Sequence, residues 1–181
     1  MNELGIHDKE TLLKTLADTH QCVAEWFTAI QTRDFFKRQP EVWSASDNLD
    51  HLIRSVKPVA KAMNLPKLSL QGLFGRAKTA SRSYREICEF YRIELAKGAA
   101  ASGRYLPGQA EPGEKAEAQK MHLLEQWTKA SSDLVKAILE WSEADLDTCQ
   151  LPHPILGKLT VREMLFFTIY HNRRHASQAG D

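Results

Sequence analysis

At 181 residues, with 43% hydrophobic and 26% charged positions, the chain suits one compact globular domain with a core of useful size. The 24 basic and 23 acidic residues leave a net charge of +1, and no like-charged block exceeds the pair Arg173-Arg174; this removes the electrostatic case for nucleic acid or an anionic membrane surface as partner. No run of about 18 apolar residues offers a membrane span, residues 1–8 lack the basic start and apolar stretch of a signal peptide, and the expected location is the cytoplasm.

In chain order, the first helix is predicted over residues 8–32, with Leu12, Leu16, Thr19, Val23, Trp26 and Ile30 on one stripe and Asp8 as its N-cap. Pro40 and its polar neighbours interrupt the pattern. A second helix starts near Trp43, where Ser44 or Ser46 can cap it and Ser44 with Asp47 loosely imitates a capping box. It presents Leu49, Leu52, Ile53, Val56, Val59, Ala60 and Met63, and Pro58 predicts a kink. Residues 64–113 form a long crossover rich in turn signals (Pro66, Gly72, Gly75, Pro107-Gly108, Pro112-Gly113) around one shorter helix over 83–97. A third long helix over 114–141 carries Leu123, Trp127, Ala130, Leu134, Ile138 and Trp141. The last begins at Thr160-Val161-Arg162-Glu163, a capping-box pattern, and runs through Met164, Leu165, Phe167, Thr168 and Ile169. No strand is expected. The fold class is all-α: a four-helix bundle with a long crossover between its second and third helices, in one domain over 1–181.

Seven histidines are present, and two stand four apart in His171-Asn172-Arg173-Arg174-His175. That spacing places both imidazoles on one helix face, in line with Met164, Phe167 and Thr168, so both point inward and can reach one ion. The plainer alternative is a pair satisfied by water or carbonyls. His51 is the third candidate, yet helical counting puts it roughly 150° from the apolar stripe of its own helix, on the polar side with Asp47 and Arg54. Periodicity alone makes it a solvated histidine. His7, His20, His122 and His153 carry no ligand spacing, although His153, between Pro152 and Pro154, is placed to line a site mouth. Cys22, Cys88 and Cys149 are odd in number, far apart and without ligand spacing, so they read as small hydrophobes.

The segment Trp43-Ser44-Ala45-Ser46-Asp47-Asn48-Leu49-Asp50-His51-Leu52 resembles the start of the second helix in the DinB/YfiT-like superfamily. Residues 153–163 resemble that family's approach to its fourth helix, and Tyr170-His171-Asn172-Arg173-Arg174-His175-Ala176-Ser177-Gln178 resembles its ending. The resemblance implies an up-down-down-up four-helix bundle, a homodimer, and a divalent metal held by His51, His171 and His175, against the surface reading of His51. Zinc comes first, with nickel or manganese as alternatives. Some relatives in that family are thiol-dependent transferases or isomerases. The leading expectation is therefore activation of a low-molecular-weight thiol cosubstrate for S-transfer or isomerisation of a small molecule, followed by metal-dependent hydrolysis and by a non-catalytic metal-binding module. Asp47, one turn before His51, is the candidate general base or ligand-orienting carboxylate; its plainer reading is a carboxylate favoured at a helix start. Arg173 and Arg174 are candidate anion contacts or solvated helix-end charges. Tyr84 and Tyr105 are candidate substrate contacts if the crossover folds over the site, and the four tryptophans are expected core anchors. With His175 so near residue 181, fraying of residues 179–181 is expected to loosen one ligand.

Overall fold

Reciprocal capping boxes start four of the helices. Asp8 Oδ1 accepts from the Thr11 amide at 2.8 Å, and Ser44 Oγ accepts from the Asp47 amide while Asp47 Oδ2 accepts from that of Ser44, both at 3.1 Å. Ser83 pairs with Glu86 in the same way. Thr160 Oγ1 accepts from the Glu163 amide at 3.1 Å as Glu163 Oε2 accepts from the Thr160 amide at 2.9 Å. Each box satisfies amides that have no partner within the first helical turn.

The computed structural model describes residues 5–6, 8–109 and 113–178. The tail 179–181 expected to fray, most of the leading segment 1–8, His7 and the Pro112 turn lie outside the described residues. Among those described there are eight α-helices: α1 (Lys9–Ala29), α2 (Thr32–Phe35), α3 (Ala45–Met63), α4 (Lys67–Phe74), α5 (Tyr84–Ala96), α6 (Ala116–Leu139), α7 (Glu143–Thr148) and α8 (Val161–Gln178). The remaining regular structure is a 3-10 turn, Gly103–Tyr105, and an antiparallel hairpin of β1 (Gln150–His153) and β2 (Gly157–Thr160). The fold is mostly helical. No described helix is long and apolar enough to cross a membrane.

The four long helices α1, α3, α6 and α8 pack on one another: α3 along α6, α1 against α6 and α8, and α3 against α8. Their shared core includes Leu12, Leu16 and Phe27 from α1, Leu49, Leu52 and Val56 from α3, Trp127 and Leu134 from α6, and Leu165 and Ile169 from α8, all buried. Two indoles find acceptors as they are buried: Trp127 Nε1 donates to the His20 carbonyl at 3.2 Å and Trp141 Nε1 to that of Met63 at 3.0 Å. Pro58 lies inside α3, which is continuous through it.

Three features depart from the expected elements. The crossover holds two helices rather than one, because α4 forms across Gly72 with Leu70 buried. The approach to α8 is a hairpin, pairing Leu151 with Leu159 and His153 with Gly157. Its strands are four residues long and one contains Pro152, too short a stretch for alternation to register. Finally, the returning end of the crossover lies on α3, where Asp50 Oδ2 accepts from the Gly108 amide at 2.7 Å and pairs with Arg54 Nε at 2.8 Å.

Candidate metal centre

His171 and His175, one turn apart on α8, both face the interior, 3% and 6% exposed. His51 joins them from α3 and is 4% exposed, which overturns the solvated position that periodicity assigns it. The physical reason is that the first half of α3 is covered on more than one side. α6 and α8 pack on it, and the 3-10 turn Gly103–Tyr105 lies over the face that helical counting leaves to water. A single-stripe pattern cannot represent such a helix.

The three rings converge. Their centroids are 4.9 Å (His51–His171), 4.8 Å (His51–His175) and 4.5 Å (His171–His175) apart, and one nitrogen from each lies within 4.8 Å of the others. His51 Nε2 and His171 Nε2 are 3.0 Å apart. Two nitrogens bonded to one ion at ~2.1 Å sit about 3.0 to 3.4 Å apart, so this pair already has the required span.

Hydrogen bonds at the far side of two rings fix which nitrogen is free. His51 Nδ1–H donates to the Tyr105 carbonyl at 2.7 Å. His175 Nδ1–H donates to Asn48 Oδ1 at 2.7 Å, and Asn48 is held as an acceptor there because its amide nitrogen donates to the Ser44 and Trp43 carbonyls. Both Nε2 lone pairs therefore point at the common centre, the arrangement that orients metal-binding imidazoles. His171 lies parallel to Phe167 with centroids 5.0 Å apart, and Trp43 stacks on His175 and tilts against His51. Trp43 is thus a wall of the site rather than a core anchor.

Burial pushes all three imidazoles below their usual pKa: His175 to about 3, His171 well below, and His51 downward against the opposing hydrogen bond to Tyr105 and the charge of Asp50. Each is neutral near pH 7, the form that can bind a cation. A neutral donor set with converging lone pairs fits a divalent ion, with zinc, nickel and manganese all compatible with imidazole.

Of the other sequence candidates, Asp47 is buried, and burial raises its pKa, but the Arg38 guanidinium and the Ser44 donors outweigh that and hold it below the carboxylate range. Its carboxylate is occupied by Arg38 Nε at 3.0 Å and by the capping box. Arg173 donates to Thr19 at 3.1 Å, and Arg174 contributes positive charge that further depresses the three histidines. Tyr84 packs edge-on to Phe166, away from the site, whereas Tyr105 lines it. Of the cysteines, Cys88 and Cys149 are buried, but Cys22 is exposed.

Beside His51 and His171 opens a cavity of about 310 Å³, walled by Val59, Ala62, Phe74, Leu151, Ile155 and Met164 among others. His153 lines it too. With this site in view, comparison with known families is decisive: the sequence profile of the DinB superfamily matches residues 15–179. The chain belongs to the DinB superfamily. The DinB match takes in α3, the hairpin and α8, and with them all three clustered histidines. Comparison with curated proteins gives no match, and comparison with solved structures gives none. What the DinB resemblance does not identify are the groups that orient the rings. Asn48 is visible in the sequence only as a polar residue near a cap, and the Tyr105 carbonyl, being main chain, leaves no sequence signal.

Proposed function

We propose that this DinB protein holds a divalent metal ion, zinc first, at His51, His171 and His175, and that it is an enzyme activating a low-molecular-weight thiol for S-transfer or isomerisation. The observation that carries the reading is the pair of fixed tautomers beside a cavity: Asn48 and Tyr105 spend the Nδ1 protons, which leaves two Nε2 lone pairs aimed at one point, next to a cavity that His51 and His171 line. When bound, the ion supplies Lewis acidity that favours the ionised form of an incoming thiol. The chain does the rest. Trp43 and Phe167 cover the rings, and the apolar walls exclude water and hold the electrophile. In transfer, the sulfur forms its bond to carbon as the leaving group departs, and the thiol proton passes to solvent. Among the described residues no Asp or Glu lines the cavity, which favours a thiol over water as nucleophile, since water attack draws on a general base.

This reading includes the up-down-down-up bundle path and a homodimer, for which Leu68 and Leu73, exposed on α4, offer apolar surface. It also includes the cytoplasm, where three unpaired cysteines are at home. The test is incubation of zinc-loaded protein with a panel of low-molecular-weight thiols and a chlorobimane. Metal-dependent conjugation with at least one thiol is expected. Conjugation with none, together with metal-dependent cleavage of neutral esters, would replace thiol transfer by hydrolysis; stoichiometric metal and no turnover would leave a metal-binding module.

A further inference from the structure

His153 ends β1 and takes no part in the three-histidine cluster. Its Nδ1 accepts from two backbone amides of its own turn, Ile155 at 3.2 Å and Leu156 at 3.0 Å. Burial holds its pKa down to about 4, so near pH 7 the ring carries one proton. A nitrogen that accepts twice cannot carry it, and the proton is therefore on Nε2. Phe167 (centroids 4.2 Å apart) and Tyr91 (6.5 Å) clamp the ring edge-on. No hydrogen bond of Nε2 is present among the described residues, although His153 is part of the cavity lining. Nε2–H is thus a rigid donor with no partner among those residues, in a lining that is mostly apolar but also includes Ser55, Thr168 and Asn172; a ligand acceptor that reaches it takes a hydrogen bond otherwise left to water.

The occupant is constrained from three directions. The volume, about 310 Å³, is about twice that of an engineered apolar cavity of ~150 Å³ that holds benzene, which suits a two-ring or medium-chain molecule. The absence of carboxylates from the lining disfavours a cation, and the basic lining residues, Lys61 and Arg104, are both exposed. Nε2–H calls for an acceptor. We propose that His153 is a specificity residue, its Nε2–H reading a carbonyl oxygen on a neutral, predominantly apolar substrate held beside the histidine cluster. The proposal rests on the cavity being the substrate site of the function proposed above, but not on the reaction carried out there.

The test measures binding, by calorimetry, of 2-acetylnaphthalene and of 2-isopropylnaphthalene, its near-isostere without the carbonyl, to the full chain as purified and after zinc loading. The ketone is expected to bind roughly ten-fold more tightly, the worth of one buried hydrogen bond. In His153→Asn the carboxamide oxygen takes the place of Nδ1 and still accepts from the turn, while Nε2–H is gone and the remaining carboxamide N–H stands at the position of ring Cδ2, short of where Nε2 reached. That variant is expected to bind both compounds equally, with hydrocarbon affinity within about two-fold of wild type. Equal affinities in the wild-type protein, which needs no variant to fold, would overturn the proposal. So would an unchanged ketone preference in His153→Asn, tighter binding of 2-naphthoate than of the ketone, or no saturable binding. Failure to bind metal with the ketone preference intact would remove the metal-dependent function and leave this inference standing.

Discussion

Asn48 is the residue on which the orientation of His175 depends, and its own amide is pinned by two carbonyls at the start of α3. Replacing it with Leu removes the acceptor without removing a ligand. Asn48→Leu is expected to weaken zinc binding by about 10- to 100-fold, read by competition with a chelating dye, with the far-ultraviolet helix signal unchanged. His20 illustrates the opposite use of an imidazole. It is buried edge-on to Trp127, 5.3 Å between centroids, both its ring nitrogens lack partners among the described residues, and burial pushes its pKa to about 4. A lowered folded-state pKa means stability that is present above pH 6.5 and lost as the pH falls towards about 4, because the unfolded chain binds the proton first. Between pH 7 and pH 5 this amounts to about 2 kcal/mol. Urea unfolding of His20→Leu is expected to show a correspondingly smaller acid loss; parallel pH profiles for variant and wild type would refute the assignment. Neither role was legible in the sequence. A histidine on an apolar stripe and an asparagine near a cap are written in the same letters whether they orient a ligand or fill a core.

At the scale of elements, the caps of α3 and α8 were readable because a capping box is a local pattern of two residues three apart, and that of α1 because a lone Asp is itself a favoured N-cap. So was the inward face shared by Met164, Phe167, Thr168, His171 and His175, all buried as the helical count requires. The hairpin and α4 were not, since β1 and β2 are four residues each and α4 contains the glycine that read as a turn. The burial of His51 was hidden for a different reason: what covers α3 there is a single 3-10 turn that arrives from more than fifty positions away. Asp50 fastens that stretch through the Gly108 amide. Asp50→Ala is expected to cost about 1 kcal/mol, since the site is partly exposed. Its more telling effect is on hydrogen exchange, which should quicken at the amides of residues 103–108 while those of α6 keep their protection. Unchanged exchange at 103–108 would show that the Tyr105–His51 contact alone holds the segment.

For the whole molecule, the histidine cluster joins helices far apart in the chain, so a bound ion cross-links α3 to α8. Zinc at a thousand-fold excess over its dissociation constant would add about 4 kcal/mol of stability. For a chain of this size that is a rise in Tm of about 10 °C, reversible with a chelator. In His171→Ala the rise is expected to vanish while the helix signal persists, since the packed core of Leu, Phe and Trp side chains extends well beyond that ring. Loss of the helix signal in the same variant would show instead that the cluster organises the fold. The bundle-like packing of long helices was legible in the spacing of apolar residues. The meeting of residue 51 with 171 and 175 was not, because no local pattern encodes which helix faces which; there the resemblance to the DinB superfamily supplied what periodicity lacked.

The group that anchors His51 is a main-chain carbonyl, that of Tyr105. No change of side chain at position 105 can delete it, so the anchor tolerates mutation at its own residue yet is sensitive to insertions or deletions anywhere in residues 64–109 that alter the path of the chain. Evolution could thus retune one ligand's aim, and with it the affinity of the site, by editing the length of a connection and leaving all three histidine codons untouched.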